Sequence, residues 1–421
     1  MTVLLKGGQL LLDGGYSRCD ILIREGVVAG ISPDISETAF DLHFNLNNCF
    51  VFPGFADVHV HLREPGFSYK ETIETGTLAA ARGGYTAVCA MPNTKPVPDS
   101  VETLAVMREL IERSARVKVF PYASITKGEK GRELVDFNSL IGSVVAFSDD
   151  GRGVQSEELM RLAMLEVKKQ RGIIAAHCED EKLLNGGYIH DGEYAKRHGH
   201  RGISSESEWG QLKRDLKLVR ETGCRYHVCH VSTKESVELI RKAKAEGLPV
   251  SCETAPHYLV LCDDDLKEDG AFKMNPPLRS KEDRAALIEG LRDGTIDIIA
   301  TDHAPHSMEE KGRGLKESLM GVVGLETAFP VLYTRLVKTG VITLQRLIEL
   351  MCAAPRRLFK LGGGEIIKGS VADLTVFDLS KSYKIDPGAF LSKGRATPFA
   401  GMEVCGECVL TIAGGKIVWR K

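Results

Sequence analysis

No stretch of this sequence approaches the roughly 20 consecutive apolar residues that a membrane-spanning helix needs. Its first residues, MTVLLKGGQLLLDGG, contain neither a basic leader nor a small-residue cleavage site, so a cytoplasmic location is expected. Net charge is scarce too: 55 Lys and Arg against 57 Asp and Glu leave −2, which removes the electrostatic case for a nucleic-acid partner. Eleven cysteines, an odd number spread from Cys19 to Cys408, form no regular framework, so reduced thiols are expected rather than secreted disulfides. Cys405-Gly-Glu-Cys408 has no second CxxC to complete a zinc knuckle, and the glycine-rich KGRGLKESLMGVVG has no Walker lysine and reads as a lid or binding loop. Low-complexity segments and internal repeats are absent. What remains is ordinary globular composition, 421 residues with 43% hydrophobic, ample for a large core.

From residue 51 onward apolar runs alternate with helical patterns. The runs include CFVFPGFADVHVH, YTAVCAMPN, VKVFPYASI, VVAFSDD, GIIAAHCED, RYHVCHVS, LPVSCETAPH and IDIIATDHAPH, and each reads as a buried strand. Helical patterns such as SVETLAVMRELIERSA, SEELMRLAMLEVKKQ and KESVELIRKAKAEG separate them, and GLETAFPVLYTRLVKTG follows the last. Ser205-Glu-Ser-Glu208 and Ser280-Lys-Glu-Asp283 have the form of capping boxes at helix starts. Eight alternations predict a (β/α)8 TIM barrel over 51–365, with a doubly wound open sheet as the rival. Residues 1–50 and 366–421 lack the alternation and read as short strands with Gly-rich turns. Together they are expected to form one small composite β-sandwich domain.

Five of the runs stop at an imidazole or a carboxylate. Residues two apart on a strand share a side, so His59 and His61 can face one pocket at the strand mouth. Asp149 or Asp150, His177, His230 and Asp302 add candidate ligands from four more strand ends, where a barrel keeps its active site. Imidazole with carboxylate suits zinc or a similar first-row ion, and six ligands exceed one tetrahedral site. Divided over two ions, His59, His61 and Asp302 would hold one and His177 and His230 the other, with Asp150 between them. Two ions at about 3.5–4 Å lower the pKa of water enough to supply a nucleophile at neutral pH.

The blocks PGFADVHVHLREPG, AMPNT, FSDDG, AHCED, CHVS, ETAPH, KMNPPLR and TDHAPH resemble class I dihydroorotases of the amidohydrolase superfamily, and the similarity covers most of the chain. The resemblance implies reversible interconversion of N-carbamoyl-L-aspartate and L-dihydroorotate in pyrimidine synthesis, on two zinc ions per subunit. It also implies a homodimer and a possible association with aspartate transcarbamoylase. Many hydantoinase-like relatives bridge their metals with a carboxylated lysine from strand four, where this chain has Val145-Ala-Phe-Ser-Asp-Asp150. Family register favours Asp150 over Asp149 as the bridge. By the same resemblance Arg63, Asn93 and His306 bind the substrate carboxylate, and Asn275 with the backbone around Met320 and Gly321 holds the ring. Met320 departs from the aromatic residue expected there.

Asp302 is the expected proton carrier, taking a proton as the ring carbonyl is attacked and delivering it to the leaving nitrogen. Other histidines have quieter assignments. His190, His198 and His200 lie in a charged stretch and should face solvent, His43 and His227 should fill structure, and His257 and His303 could orient ligands. Cys178 and Cys229 should point to the strand faces opposite the adjacent histidines. Two rivals remain: another cyclic-amide hydrolase of hydantoinase or allantoinase type, which would not need Arg63 and Asn93 around a carboxylate, and a non-catalytic barrel that scaffolds a transcarbamoylase.

Overall fold

The computed structural model describes residues 1–12, 15–36 and 39–421. Apolar runs buried on both faces form the parallel ring, as expected of strands that helices cover. Phe55–Val60, Tyr85–Ala90 and Lys118–Pro121 pair parallel in one sheet, and Ile173–Ala176, Arg225–Val228, Val250–Thr254 and Ile298–Ile299 in a second. The run VVAFSDD closes the gap between the sheets with a single residue: Phe147 bridges in parallel to Ala123 on one side and Ile174 on the other. On the far side Val60 bridges to His303, so the ring is closed and the open-sheet alternative is excluded.

Helices Ile73–Arg82, Val101–Ser114, Glu157–Lys169, Glu206–Thr222, Lys234–Ala245 and Lys281–Asp293 form the outer layer. Ser280 and Asp283 make the anticipated capping box. Ser205 caps nothing through its side chain. Glu208 instead accepts from the Ser232 and Thr233 amides, both at 3.1 Å, and from Ser236 Oγ at 2.7 Å. A signature that looks local is thus recruited to hold the loop that follows His230. The helix expected over GLETAFPVLYTRLVKTG is α-helical only at Ala328–Leu332 and continues in wider π turns over Tyr333–Val337.

The run CFVFPGFADVHVH divides into two strands. Cys49–Pro53 belongs to an eight-stranded sheet with Thr2–Leu12, Gly15–Arg24, Val27–Ser32, Leu42–Asn45, Leu374–Lys384, Glu403–Ala413 and Lys416–Arg420, while Phe55–Val60 opens the barrel. Gly54 marks the change of direction, because a Cβ there would come within 2.2 Å of Thr86 Oγ1. Arg356 fixes the junction by donating to Gly54 O at 3.0 Å and to Thr86 Oγ1 at 2.7 Å. Val3, Leu5, Ile21, Ile23, Val51, Leu374, Val376, Leu410 and Ile412 share one core, so the two halves of this sheet face each other as a sandwich. Strands from both ends of the chain build it.

Candidate metal centre

Sterics bring the strand-end side chains together. His59 and Asp302 lie on opposite edges of the ring closure, where Asp57 accepts from the amides of His59 and Thr301, both at 3.0 Å. Three of the residues in question, Arg63 (φ 61°), His230 (φ 33°) and Asp302 (φ 47°), adopt left-handed backbone conformations. Such strain in non-glycine residues concentrates at functional sites.

His59 Nε2 lies 3.3 Å from Asp150 Oδ1 and 3.6 Å from Asp302 Oδ1. His61 Nε2 lies 3.2 Å from Asp302 Oδ1 and 3.5 Å from Asp150 Oδ2. On the other flank His177 Nδ1 and His230 Nε2 are 2.9 Å apart, with Asp150 Oδ1 at 3.8 and 3.6 Å from them. Asp150 is therefore central to all four imidazoles. Its neighbour Asp149 is turned away and satisfied, accepting from Ile125 N at 2.7 Å, Thr126 N at 3.0 Å and the Thr126 hydroxyl. Burial disfavours charge on Asp150, yet His59, His230 and His61 hold its carboxyl well below the usual range. Burial likewise opposes charge on Asp302, and His61 with His59 overcomes it.

These residues fit a cation. His59 Nε2 and Asp150 Oδ1 are buried without a hydrogen-bond partner, which costs free energy unless something else satisfies them. Donor atoms of His59, His61 and Asp302, and of His59, Asp150 and His230, lie within 4.8 Å of one another. Cys229 also falls within that distance of His59 and Glu253. It sits beneath the cluster and not on the opposite face, because the left-handed turn at His230 breaks the strand alternation. Burial pushes its thiol up to about 12.

Residues not singled out in the sequence aim the imidazoles. Glu253, buried at the end of Val250–Thr254, accepts from His59 Nδ1 at 2.7 Å and His227 Nε2 at 3.2 Å. His227 is thus a support for the cluster, with Ser251 Oγ 2.8 Å from its other nitrogen. Burial raises the Glu253 carboxyl, but His59 and His227 outweigh it and keep it far below the ordinary value. Glu71 receives His303 Nε2 at 3.4 Å and the Ser392 hydroxyl, tying the strand-eight end to the C-terminal segment. Charged residues inside apolar strand ends were the signal for Asp150 and Asp302, and the same signal marks Glu253 in VSCETAPH.

All the residues expected to meet substrate line one cavity of about 220 Å³: His61, Arg63, Asn93, Asn275, His306, Met320 and Gly321, facing Asp150, His177, His230 and Asp302. Arg63 donates through Nε to Pro305 O at 3.1 Å, and burial brings its guanidinium down to about 10. His306 donates through Nε2 to Met320 O at 2.8 Å and receives Lys70 Nζ on Nδ1 at 3.2 Å. Burial, then Arg63 and Lys70, push its pKa well below the ordinary histidine value. Asn93 accepts from His61 Nδ1 at 2.8 Å and offers Nδ2 to Asp150 at 3.4 Å. Elsewhere the histidine assignments change. His190 is buried against Arg279 and lowered by burial to about 4, His200 is packed between Tyr188 and Glu268, and His43 is exposed. His257 Nε2 is buried with no partner.

The Dihydro-orotase-like family model matches residues 49–236, which carry five of the six cluster residues, all but Asp302. Over 425 aligned residues, covering all of this chain and 99% of the relative, the sequence is 50% identical to the dihydroorotase of Bacillus cytotoxicus. The chain belongs to the dihydroorotase family. A dihydroorotase from Bacillus cereus (strain B4264) is 49% identical over the same span. Among solved structures the L-hydantoinase (dihydropyrimidinase) from Arthrobacter aurescens superposes with a TM-score of 0.89 at 30% identity, covering 100% of this chain and 96% of that one. A dihydropyrimidinase from Brevibacillus agri, at 23% identity and a TM-score of 0.86, shares the fold. No helix among the described residues is long and apolar enough to cross a membrane.

Proposed function

We infer that the chain is a dihydroorotase that reversibly interconverts N-carbamoyl-L-aspartate and L-dihydroorotate, a step of de novo pyrimidine synthesis, with two zinc ions per subunit. The observation that carries this reading is a single cavity lined both by the imidazole and carboxylate cluster and by the half-buried Arg63 guanidinium, which lies beside His306. A cyclic amide bearing a carboxylate needs both. His59, His61 and Asp302 would hold one ion, His177 and His230 the second, and Asp150 would bridge. Bound there, the ions supply Lewis acidity toward the amide carbonyl and a nucleophile at neutral pH.

The side chains do the rest. Arg63 forms a charge-assisted contact with the substrate carboxylate, supported by Asn93 and His306. Asn275 and the backbone of Met320 and Gly321 position the ring. Asp302 carries the proton, accepting it as the ring carbonyl is attacked and giving it to the leaving nitrogen; ring closure runs the same path backward. The proposal extends to a barrel of residues 51–365 with a composite domain of 1–50 and 366–421, except that the whole strand Cys49–Pro53 goes with the composite domain, to a cytoplasmic homodimer, and to a possible transcarbamoylase contact.

The test is metal content together with dihydroorotate hydrolysis followed by absorbance, before and after chelation and zinc restoration, with an uncharged hydantoin as control. Two zinc ions per chain and zinc-restored turnover of dihydroorotate are expected. Turnover of the hydantoin instead would move the reading to the cyclic-amide hydrolases that share the fold. A protein with neither metal nor turnover would be a scaffold.

A further inference from the structure

Glu179 follows His177 by two residues at the end of Ile173–Ala176 and is buried at 7% exposure. Its backbone is clamped from both sides: its amide donates to Gln211 Oε1 at 3.2 Å, and its carbonyl accepts from Gln155 Nε2 at 2.8 Å. The carboxylate has two clients. Oε2 faces His177 Nε2 at 3.5 Å, and Oε1 accepts from Asn275 Nδ2 at 2.9 Å. A carboxylate only accepts, so the NH2 end of the Asn275 amide must face Glu179, and its carbonyl Oδ1 must face the other way. Asn275 lines the cavity. His177 presents Nδ1 to the cluster, 2.9 Å from His230 Nε2, which leaves Nε2 to carry the proton toward Glu179.

We propose that Glu179 is a positioning residue for substrate selection: it fixes the Asn275 amide so that an acceptor oxygen faces the cavity and takes a ring N–H of the cyclic amide. The inference rests on the dihydroorotase reading. One carboxylate therefore sets the tautomer of a cluster imidazole and the polarity of the group that meets the ring. A site built around one such hydrogen bond discriminates against an analogue that cannot make it, because a partner is then left unpaired.

Glu179→Gln separates these two duties without changing volume. His177 Nε2–H still requires an acceptor, so the carbonyl of the introduced amide turns to His177 and its NH2 turns to Asn275. The Asn275 amide then rotates by half a turn, and a donor replaces the acceptor at the cavity wall. The experiment compares zinc-loaded wild type and E179Q on dihydroorotate and on its two ring-N-methylated derivatives, with zinc content measured in parallel. The expected result is zinc retention, with kcat/KM for dihydroorotate reduced by about tenfold or more. Preference for the parent over one methylated derivative should fall by a similar factor, because that derivative has lost the N–H that Asn275 reads. Asn275→Ala should erase the same preference, and adding E179Q to it should change the ratio no further. The proposal is overturned if E179Q slows all three substrates equally, which assigns Glu179 to His177 alone, or if wild type does not discriminate against either derivative. Absence of any dihydroorotate turnover by zinc-loaded wild type would instead refute the reading on which the proposal stands.

Discussion

Glu253 offers the sharpest test of how the cluster is aimed. It receives three donors in a buried setting: His59 Nδ1 at 2.7 Å, His227 Nε2 at 3.2 Å and His230 N at 3.3 Å. With Glu253→Gln the amide oxygen keeps His59, while its NH2 can donate to His227 once that ring changes tautomer and donates from Nδ1 to Ser251 Oγ. Every partner stays satisfied and only the charge is lost, which predicts a fall in metal affinity of about tenfold, the low end for groups that orient a ligand. With Glu253→Ala, His59 Nδ1–H, His230 N–H and His227 Nε2 all lose their partner. Each such orphan costs about 1–3 kcal/mol, so unfolding stability should drop by about 3–9 kcal/mol. His59 is then free to turn, and metal affinity should fall about a hundredfold. Zinc competition against a chromogenic chelator, with urea unfolding of metal-free protein, measures both quantities. If Glu253→Ala binds zinc within threefold of wild type, or if the Gln and Ala variants are equally weak, the account of Glu253 as the anchor of His59 is wrong.

Two further outcomes follow from the same geometry. Asp302→Asn keeps the side-chain volume at a 7% exposed position and should preserve the fold, but it removes the proton carrier and should lower kcat by about 10²–10⁴; near-normal turnover would reject that role. Lys311 is buried, donates to Lys273 O at 3.0 Å and Leu319 O at 2.8 Å, and burial brings its ammonium down to about 7. The unfolded chain then binds more protons than the folded one between about pH 7 and the ordinary lysine value. Folding stability should therefore rise with pH in that window relative to Lys311→Met, by up to about 1.4 kcal/mol per unit. Parallel urea titrations of the two proteins at pH 7 and 9 measure it, and a constant difference would refute it.

Strand ends that stop at His59, Asp150, His177, His230 and Asp302 are legible because a titratable side chain inside an apolar run conflicts with burial unless it has a purpose. The same conflict marks Glu253 and Glu179, but neither residue announces that it aims another side chain, because its partners lie far away in sequence. Asp149 and Asp150 are equivalent in sequence, and only the Thr126 turn that engages Asp149 distinguishes them. Gly54 shows another limit: its surroundings read as one long strand, and the break appears only when Thr86 and Arg356 close in from elsewhere. Ser205-Glu-Ser-Glu208 has the right letters for a cap, yet the loop at Ser232 and Thr233 competes for Glu208 and wins with more donors. The charged residues around His190 point it to solvent, whereas its burial depends on Arg279, a distant residue.

The strand Cys49–Pro53 lies between Thr2–Leu12, which precedes it, and Leu374–Lys384, which the ribosome makes much later. At about 5–20 residues per second, tens of seconds separate the emergence of these neighbours. Throughout that interval the nascent chain carries a hydrophobic strand with one open edge, the kind of edge that recruits foreign strands. Synthesis interrupted before Leu374 should therefore yield aggregates even when every barrel strand has been made, and chaperone demand in the cell should track the delay before that edge is covered.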